Sequence, residues 1–320
     1  MFGINVLITG GAGFIGSHLA THLIKAGAAQ VIVLDDLSTG FKKNIEHLLA
    51  YPNFKFIEAS ITNIDNCMVA CEGVDVVLHH AALGSVPRSI ENPMKTDEVN
   101  VLGFVNMLFA AKEKGVKRFI FASSSSVYGD DATFPKTESK TGNLLSPYAV
   151  SKFTNEKYAA VFSNLYGIET IGFRYFNVFG ERQNPDGPYA AVIPKFIDSL
   201  IKNQSPGIYG DGSNTRDFTY VGNVVNANIL ALSVKLEQKH YIMNVACGGT
   251  ISVNSLYAQI NKLLNKTDIK PTYLPPRKGE IKDSFADISV VEAILNYKPI
   301  YSVEEGLEKT VNWFKESYKM

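Results

Sequence analysis

The most restrictive feature of this chain is a glycine-rich turn close to its start, Thr9-Gly10-Gly11-Ala12-Gly13-Phe14-Ile15-Gly16. It is flanked by two apolar segments of different period. Ile4 to Ile8 reads as a buried strand, and Phe14 to Lys25 reads as a helix, with Ile15, Leu19, Leu23 and Ile24 at helical spacing. Glycines between a strand and a helix let the backbone turn sharply and approach a pyrophosphate, while the helix N-terminus offers free N–H groups. Asp35 follows Gly16 by nineteen residues, at the end of the next apolar run. A carboxylate there accepts hydrogen bonds from an adenosine ribose and repels a 2′-phosphate. Asp36-Leu37-Ser38 supplies no adjacent Arg or Lys, so the expected dinucleotide is NAD and not NADP.

A chain of 320 residues is long enough for one core to split in two. Further apolar runs, Val31–Leu34, Phe54–Ile57, Val74–Leu78, Arg118–Ala122 and Ile168–Arg174, read as strands. Helical stretches near Thr96–Lys114 and Pro147–Leu165 lie between the later ones. Apolar strands separated by helices predict a parallel sheet covered on both faces. The fold class is therefore α/β, a Rossmann-type doubly wound parallel sheet with a smaller C-terminal α/β substrate-binding domain. The expected boundaries are 1–178 for the nucleotide-binding domain, with about 222–247 returning to it. The smaller domain takes 179–221 and 248–320, with helices near Val192–Lys202, Val221–Lys235, Ser252–Asn265 and Val303–Lys315. Gly210-Asp211-Gly212 and Pro185-Asp186-Gly187-Pro188 read as turns, and Pro271, Pro275 and Pro276 mark a loop.

Lys plus Arg and Asp plus Glu both number 31, a balance that gives no support to a nucleic-acid partner. The 3 cysteines are no disulfide framework. Cys67 and Cys71, four apart, read as buried packing. His79 and His80 are adjacent at a strand end, so their side chains point to opposite faces, and the 6 histidines show no metal-ligand spacing. No metal is expected. No apolar run is long enough to span a bilayer, and no signal segment is evident, so the expected location is cytoplasmic.

Tyr148 and Lys152 are four apart on a predicted helix and share a face. A lysine ammonium favours the phenolate of a nearby tyrosine, which makes a usable base for a sugar hydroxyl. Ser123 to Ser126 close the fifth strand, at the carboxyl end of the sheet where ligands bind.

With these residues in place, the chain resembles the extended short-chain dehydrogenase/reductase enzymes that act on nucleotide sugars. The resemblance covers nearly the whole chain. It rests on the glycine turn, His79-His80-Ala81-Ala82, Asn100-Val101-Leu102-Gly103, Ser124 with Val127-Tyr128-Gly129, Ser146 to Lys152, Arg174 to Gly180, and Arg216 to Val221. Within that family it is most similar to the UDP-hexose 4-epimerases. Gln183-Asn184-Pro185 and Tyr189 to Lys195 bring it closest to the UDP-N-acetylglucosamine 4-epimerases.

The resemblance implies roles for particular residues. Tyr148 would be the base, Lys152 would hold the nicotinamide ribose, and Ser124 would bond the reacting oxygen. NAD would be bound by Gly10, Gly13, Phe14, Ile15, Gly16, Asp35, Ser60, Ile61, Ala81, Ala82, Asn100 and Tyr175, besides Tyr148 and Lys152. A UDP-sugar would meet Gly84, Ser85, Ser124, Ser125, Asn177, Gln183, Ala191, Val192, Lys195, Tyr209, Arg216, Arg277, Glu280 and Ser284. Ser60 stands where the family usually has an aspartate that contacts adenine.

Related dehydratases carry Asp-Glu where this chain has Ser125-Ser126, so the resemblance implies epimerisation: oxidation at C4, rotation of the 4-keto sugar, and hydride return. The small Ser284 implies room for an N-acetyl group. A UDP-glucose/UDP-galactose or UDP-uronate 4-epimerase is the alternative, and a non-catalytic NAD-binding sensor a further one. The helices near Thr96–Lys114 and Pro147–Leu165 imply a homodimer through a four-helix bundle. Val101, Phe104, Val105, Leu108 and Phe109 fit either that interface or the sheet face.

Overall fold

Strand β1 (Asn5–Thr9) alternates its side chains, and the two sets enter two different cores. Val6 and Ile8 point to one face of the sheet and Leu7 to the other, all fully buried. The same division runs through β2 (Gln30–Asp35), β4 (Val76–His79), β5 (Arg118–Ser124) and β11 (His240–Val245), while β6 (Glu169–Tyr175) sends Ile171, Phe173 and Tyr175 to the first core. With β3 (Phe54–Glu58) they form a seven-stranded sheet of order β11-β6-β5-β4-β1-β2-β3, every neighbouring pair parallel. The computed structural model describes residues 3–186, 190–276 and 283–319.

One sheet face is covered by α1 (Phe14–Lys25), α8 (Val221–Ser233) and α10 (Ser289–Leu295). The other is covered by α2 (Ile64–Ala70), α5 (Gly103–Glu113) and α6 (Pro147–Tyr166), whose Phe104, Met107, Leu108 and Phe162 pack on Leu7, Val77, Phe119 and Phe121. Cys67 and Cys71 are fully buried in that core, and burial pushes both thiols up to about 12. Phe104 and Leu108 therefore belong to the sheet face, whereas Phe109 on the same helix is exposed.

A third apolar cluster lies beyond the sheet. It joins α7 (Val192–Ile201), α9 (Val253–Leu263) and α11 (Val303–Ser317) around Phe179, Phe196, Leu256 and Phe314. Short strands edge it: β7 (Val178–Phe179) with β10 (Thr219–Tyr220), β8 (Gly207–Tyr209) with β13 (Thr272–Leu274), and β9 (Thr215–Arg216) between β12 (Ile251–Ser252) and β14 (Asp283–Ser284). Among the described residues no helix is long and apolar enough to cross a membrane.

Three local expectations change. The helix anticipated over Thr96–Lys114 runs on without a gap from Pro93 to Glu113, but a π-helical turn at Glu98–Leu102 separates α4 (Pro93–Asp97) from α5. The cause is tertiary: Asn100 faces away from the helix and bonds the Leu83 backbone and the Ser151 hydroxyl. A short helix, α3 (Val86–Glu91), follows Ser85, which takes a positive φ of 146° and caps it. The proline-marked loop contains β13, a strand of three residues, too short to show a period.

Candidate active site

The chain runs outward from β1 to β3 and then returns to the other side of β1 with β4, so the β1/β4 boundary is the switch point of the sheet. A crevice opens there, beyond the carboxyl ends of the strands. Gly10 (φ 68°) and Ala81 sit on its two sides, so close that a Cβ on Gly10 would lie 2.6 Å from the Ala81 nitrogen. A Cβ on Gly16 would lie 2.2 Å from the Gly10 carbonyl oxygen. Helix α1 begins at Gly13 with no side-chain cap and no acidic residue in its first turn. Its N-terminus is thus left to an anion.

Asp35 closes the crevice on the β2 side. Its carboxylate accepts from Ala12 N and Leu37 N, at 2.9 and 2.8 Å. Burial raises its pKa, and those two N–H groups oppose the rise. The carboxylate both anchors the glycine loop and faces the cleft. These features fit a dinucleotide. Bound there, NAD would supply a hydride acceptor that returns what it takes.

The cleft encloses about 430 Å³. Gly10, Gly13, Phe14, Ile15, Gly16, Asp35, Ile61, Ala81, Ala82, Gly84, Ser124, Tyr148, Lys152 and Tyr175, all expected from the sequence, line it together. Two expected cofactor residues do not. Asn100 is turned to Leu83 and Ser151 and supports the wall from behind. Ser60 lies between Ala59 and Ile61, which do line the cleft, but its own hydroxyl pairs with Thr62 at 3.1 Å and with the Asp36 carboxylate.

His79 and His80 diverge as strand alternation requires. His79 stacks on Phe119 and meets the Thr9 hydroxyl at 2.9 Å, inside the core. His80 lies over Tyr175 on the cleft wall, its Nε2 3.1 Å from the phenol oxygen. Burial pushes His80 down to about 3 and His79 well below its ordinary value. His80 was not expected as a wall residue, although the alternation that buries His79 already sends it the other way. Among the described residues no group of three His, Cys, Asp or Glu is arranged to hold a metal.

At the far end of the cleft, β5 and α6 bring the Ser–Tyr–Lys residues together. Ser146 caps α6, its Oγ accepting from Ala149 N at 3.1 Å, and Pro147 takes the first turn. This places Tyr148 in the first turn and Lys152 one turn on. Lys152 Nζ donates to the Ala122 carbonyl at 2.8 Å and lies 5.9 Å from the centre of the Tyr148 ring. Burial pushes Lys152 down to about 8 and Tyr148 up, the latter opposed by a hydrogen bond from Ser124.

The expected substrate residues beyond Gly84 and Ser124 are not among those lining the cleft. Ser85 and Ser125 belong to short helical segments at its rim. Asn177, held at φ 37°, donates to the Asp217 carbonyl, and Gln183 donates to the Val178 carbonyl. Ala191 is the N-cap of α7, with Val192 and Lys195 in its first turn, and Tyr209 ends β8. Arg216 and Ser284 are register partners on β9 and β14. Arg277, Glu280 and Tyr189 lie outside the described residues, as do Gly187 and Pro188.

A protein-family model described as the NAD dependent epimerase/dehydratase family matches residues 6–246. A putative UDP-glucose 4-epimerase of Methanocaldococcus jannaschii is 42% identical over 314 residues, covering 98% of this chain and 99% of that protein. The UDP-N-acetylglucosamine 4-epimerase of Methanobrevibacter ruminantium M1, solved with UDP-N-acetylmuramic acid, superposes with a TM-score of 0.93 at 39% identity, covering 99% of this chain and 100% of that one. The UDP-glucose 4-epimerase of Thermotoga maritima, solved with UDP-glucose, gives 0.91 at 35% identity, covering 98% and 100%. The chain belongs to the NAD dependent epimerase/dehydratase family, and within it to the NAD-dependent UDP-sugar 4-epimerases.

Proposed function

We propose that this enzyme interconverts UDP-N-acetylglucosamine and UDP-N-acetylgalactosamine. The observation that carries the chemistry is the meeting of Ser124, Tyr148 and Lys152 at one end of a dinucleotide cleft. Tyr148 takes the proton of the sugar 4-hydroxyl, Ser124 holds the reacting oxygen, and the Lys152 ammonium favours the phenolate. Next to Ser124 stand Ser125 and Ser126, neither of which moves protons at sugar carbons as a carboxylate would. Elimination therefore has no carboxylate base at these two positions, and the 4-keto sugar turns over and is reduced on its other face.

The N-acetyl preference rests on Ser284. It is small, and it is the register partner of Arg216, whose guanidinium is of a kind suited to diphosphate. The neighbour from Methanobrevibacter ruminantium, named for that substrate, supports this reading. On the same grounds Asn177, Arg216 and Arg277 hold the UDP group, residues 1–178 with 222–247 form the NAD domain, on whose sheet α10 also packs, and the rest of the chain forms the sugar domain. The exposed Phe109, Tyr158, Val161, Leu165 and Tyr166 on α5 and α6 form an apolar face for a homodimer through four helices.

The test is incubation with UDP-N-acetylglucosamine or UDP-glucose, without added NAD, followed by separation of the sugars. The 4-epimer of the N-acetyl sugar forms without NADH accumulating. Turnover of UDP-glucose or a UDP-uronate alone replaces the substrate assignment. Net NADH marks a dehydrogenase, and loss of water a dehydratase.

A further inference from the structure

Helix α6 carries a third residue in register with the catalytic pair. Tyr148, Lys152 and Glu156 recur every four positions and so share one face. Glu156 is buried, 4% exposed, and so is Arg174 on β6, at 3%. The carboxylate takes both arms of the guanidinium, Nε to Oε1 at 2.9 Å and Nη2 to Oε2 at 2.8 Å. Oε1 also accepts from Ser123 Oγ at 2.5 Å.

Three successive residues of β5 are thereby matched to three successive turns of α6. Ala122 accepts from Lys152, Ser123 donates to Glu156, and Ser124 bonds Tyr148. A buried ion pair is a weak source of stability, because desolvation offsets its attraction and apolar side chains often serve as well. What this pair does fix is register. A carboxylate held from β6 by Arg174 and from β5 by Ser123 leaves α6 one position along the sheet.

We propose that Glu156, held by Arg174, is a positioning residue for the reaction: it locks α6 to β5 so that Tyr148 and Lys152 meet the oxygen held by Ser124. The proposal rests on Tyr148 being the base. A shift of about 1 Å in a reacting group can cost on the order of a hundredfold in rate.

Two variants separate positioning from stability. Glu156→Leu with Arg174→Met replaces the pair by apolar side chains. Ser123→Ala, at a residue that also lines the cleft, removes the link to β5 and leaves the ion pair. Tm, kcat, KM and the pH profile of kcat are measured on the sugar the wild-type enzyme turns over, with Tyr148→Phe alongside. The double variant keeps Tm within a few degrees while kcat falls about tenfold and KM stays within about twofold. The acid limb of kcat moves to higher pH, because Tyr148 loses part of the field of Lys152. Ser123→Ala loses at least about threefold in kcat at unchanged Tm.

If kcat of the variants stays within about threefold of wild type and the acid limb does not move, the pair is structural only and the proposal is overturned. Ser123→Ala decides where the two disagree or the double variant does not fold. Near-normal activity in Tyr148→Phe is a different result: it removes the assignment of the base itself.

Discussion

A phenol loses its proton near pH 10 in water, and burial at Tyr148 pushes it higher. Lys152, one turn from the phenol, is pushed the other way by burial, to about 8. Its ammonium, Ser124 and a bound nicotinamide ring all favour the phenolate. Tyr148→Phe keeps the ring and removes the proposed base. It lowers kcat by on the order of a hundredfold to ten-thousandfold, with NAD affinity retained in a binding titration. Ser284 carries the second prediction at this scale. Ser284→Tyr fills the space beside Arg216 and depresses turnover of the N-acetyl sugar by on the order of tenfold or more, while sparing UDP-glucose. Equal loss on both sugars in steady-state assays sinks the pocket assignment. The residues of the glycine turn and of the Tyr148–Lys152 pair were readable because they act within one short stretch. Glu156 and Arg174 were not, since two charges eighteen positions apart read as solvated until β6 and α6 bury them together.

Helix α6 depends on how it starts. Ser146 satisfies one of the N–H groups that no helix can pair internally. Ser146→Ala costs about 1 kcal/mol, visible as a lower urea midpoint at unchanged slope. Six of the seven sheet strands were legible to within two residues, because each reads as a mostly apolar run, whereas β11, whose His240 and Asn244 interrupt the apolar pattern, was not anticipated. The π-helical turn at Glu98–Leu102 was not, because its cause lies in bonds from Asn100 to Leu83 and Ser151, distant in sequence. The pairing of β9 with β14 was hidden for the same reason. It joins two-residue strands almost seventy positions apart, with no period to detect.

The molecule as a whole carries an acid sensitivity set by its two central histidines. Both have folded pKa values far below the ordinary 6.5 and stay neutral inside the fold. The unfolded chain takes up their protons as pH falls through 6.5, and the folded chain does not. Stability is therefore full above 6.5 and is lost below it, by about 1.4 kcal/mol per pH unit for each histidine. Asp217 works in the opposite sense. Burial pushes it up to about 6, so between 6 and its ordinary 3.8 the folded state binds the extra proton and offsets one histidine. Urea unfolding at pH 7, 6 and 5 gives the slope. His79→Gln removes about one proton's worth of it below pH 6 and about half that between pH 7 and 6.

Strand β11 enters the sheet out of turn. It pairs with β6, which ends at Tyr175, yet β11 itself ends at Val245. On a ribosome, β6 is therefore made first and waits with its outer edge unpaired while the intervening chain is synthesised. At the usual pace of translation this interval lasts on the order of ten seconds. An open strand edge of seven residues, Glu169–Tyr175, is a template for pairing with another chain. The nascent chain is thus most exposed to aggregation after most of its nucleotide site has already been made.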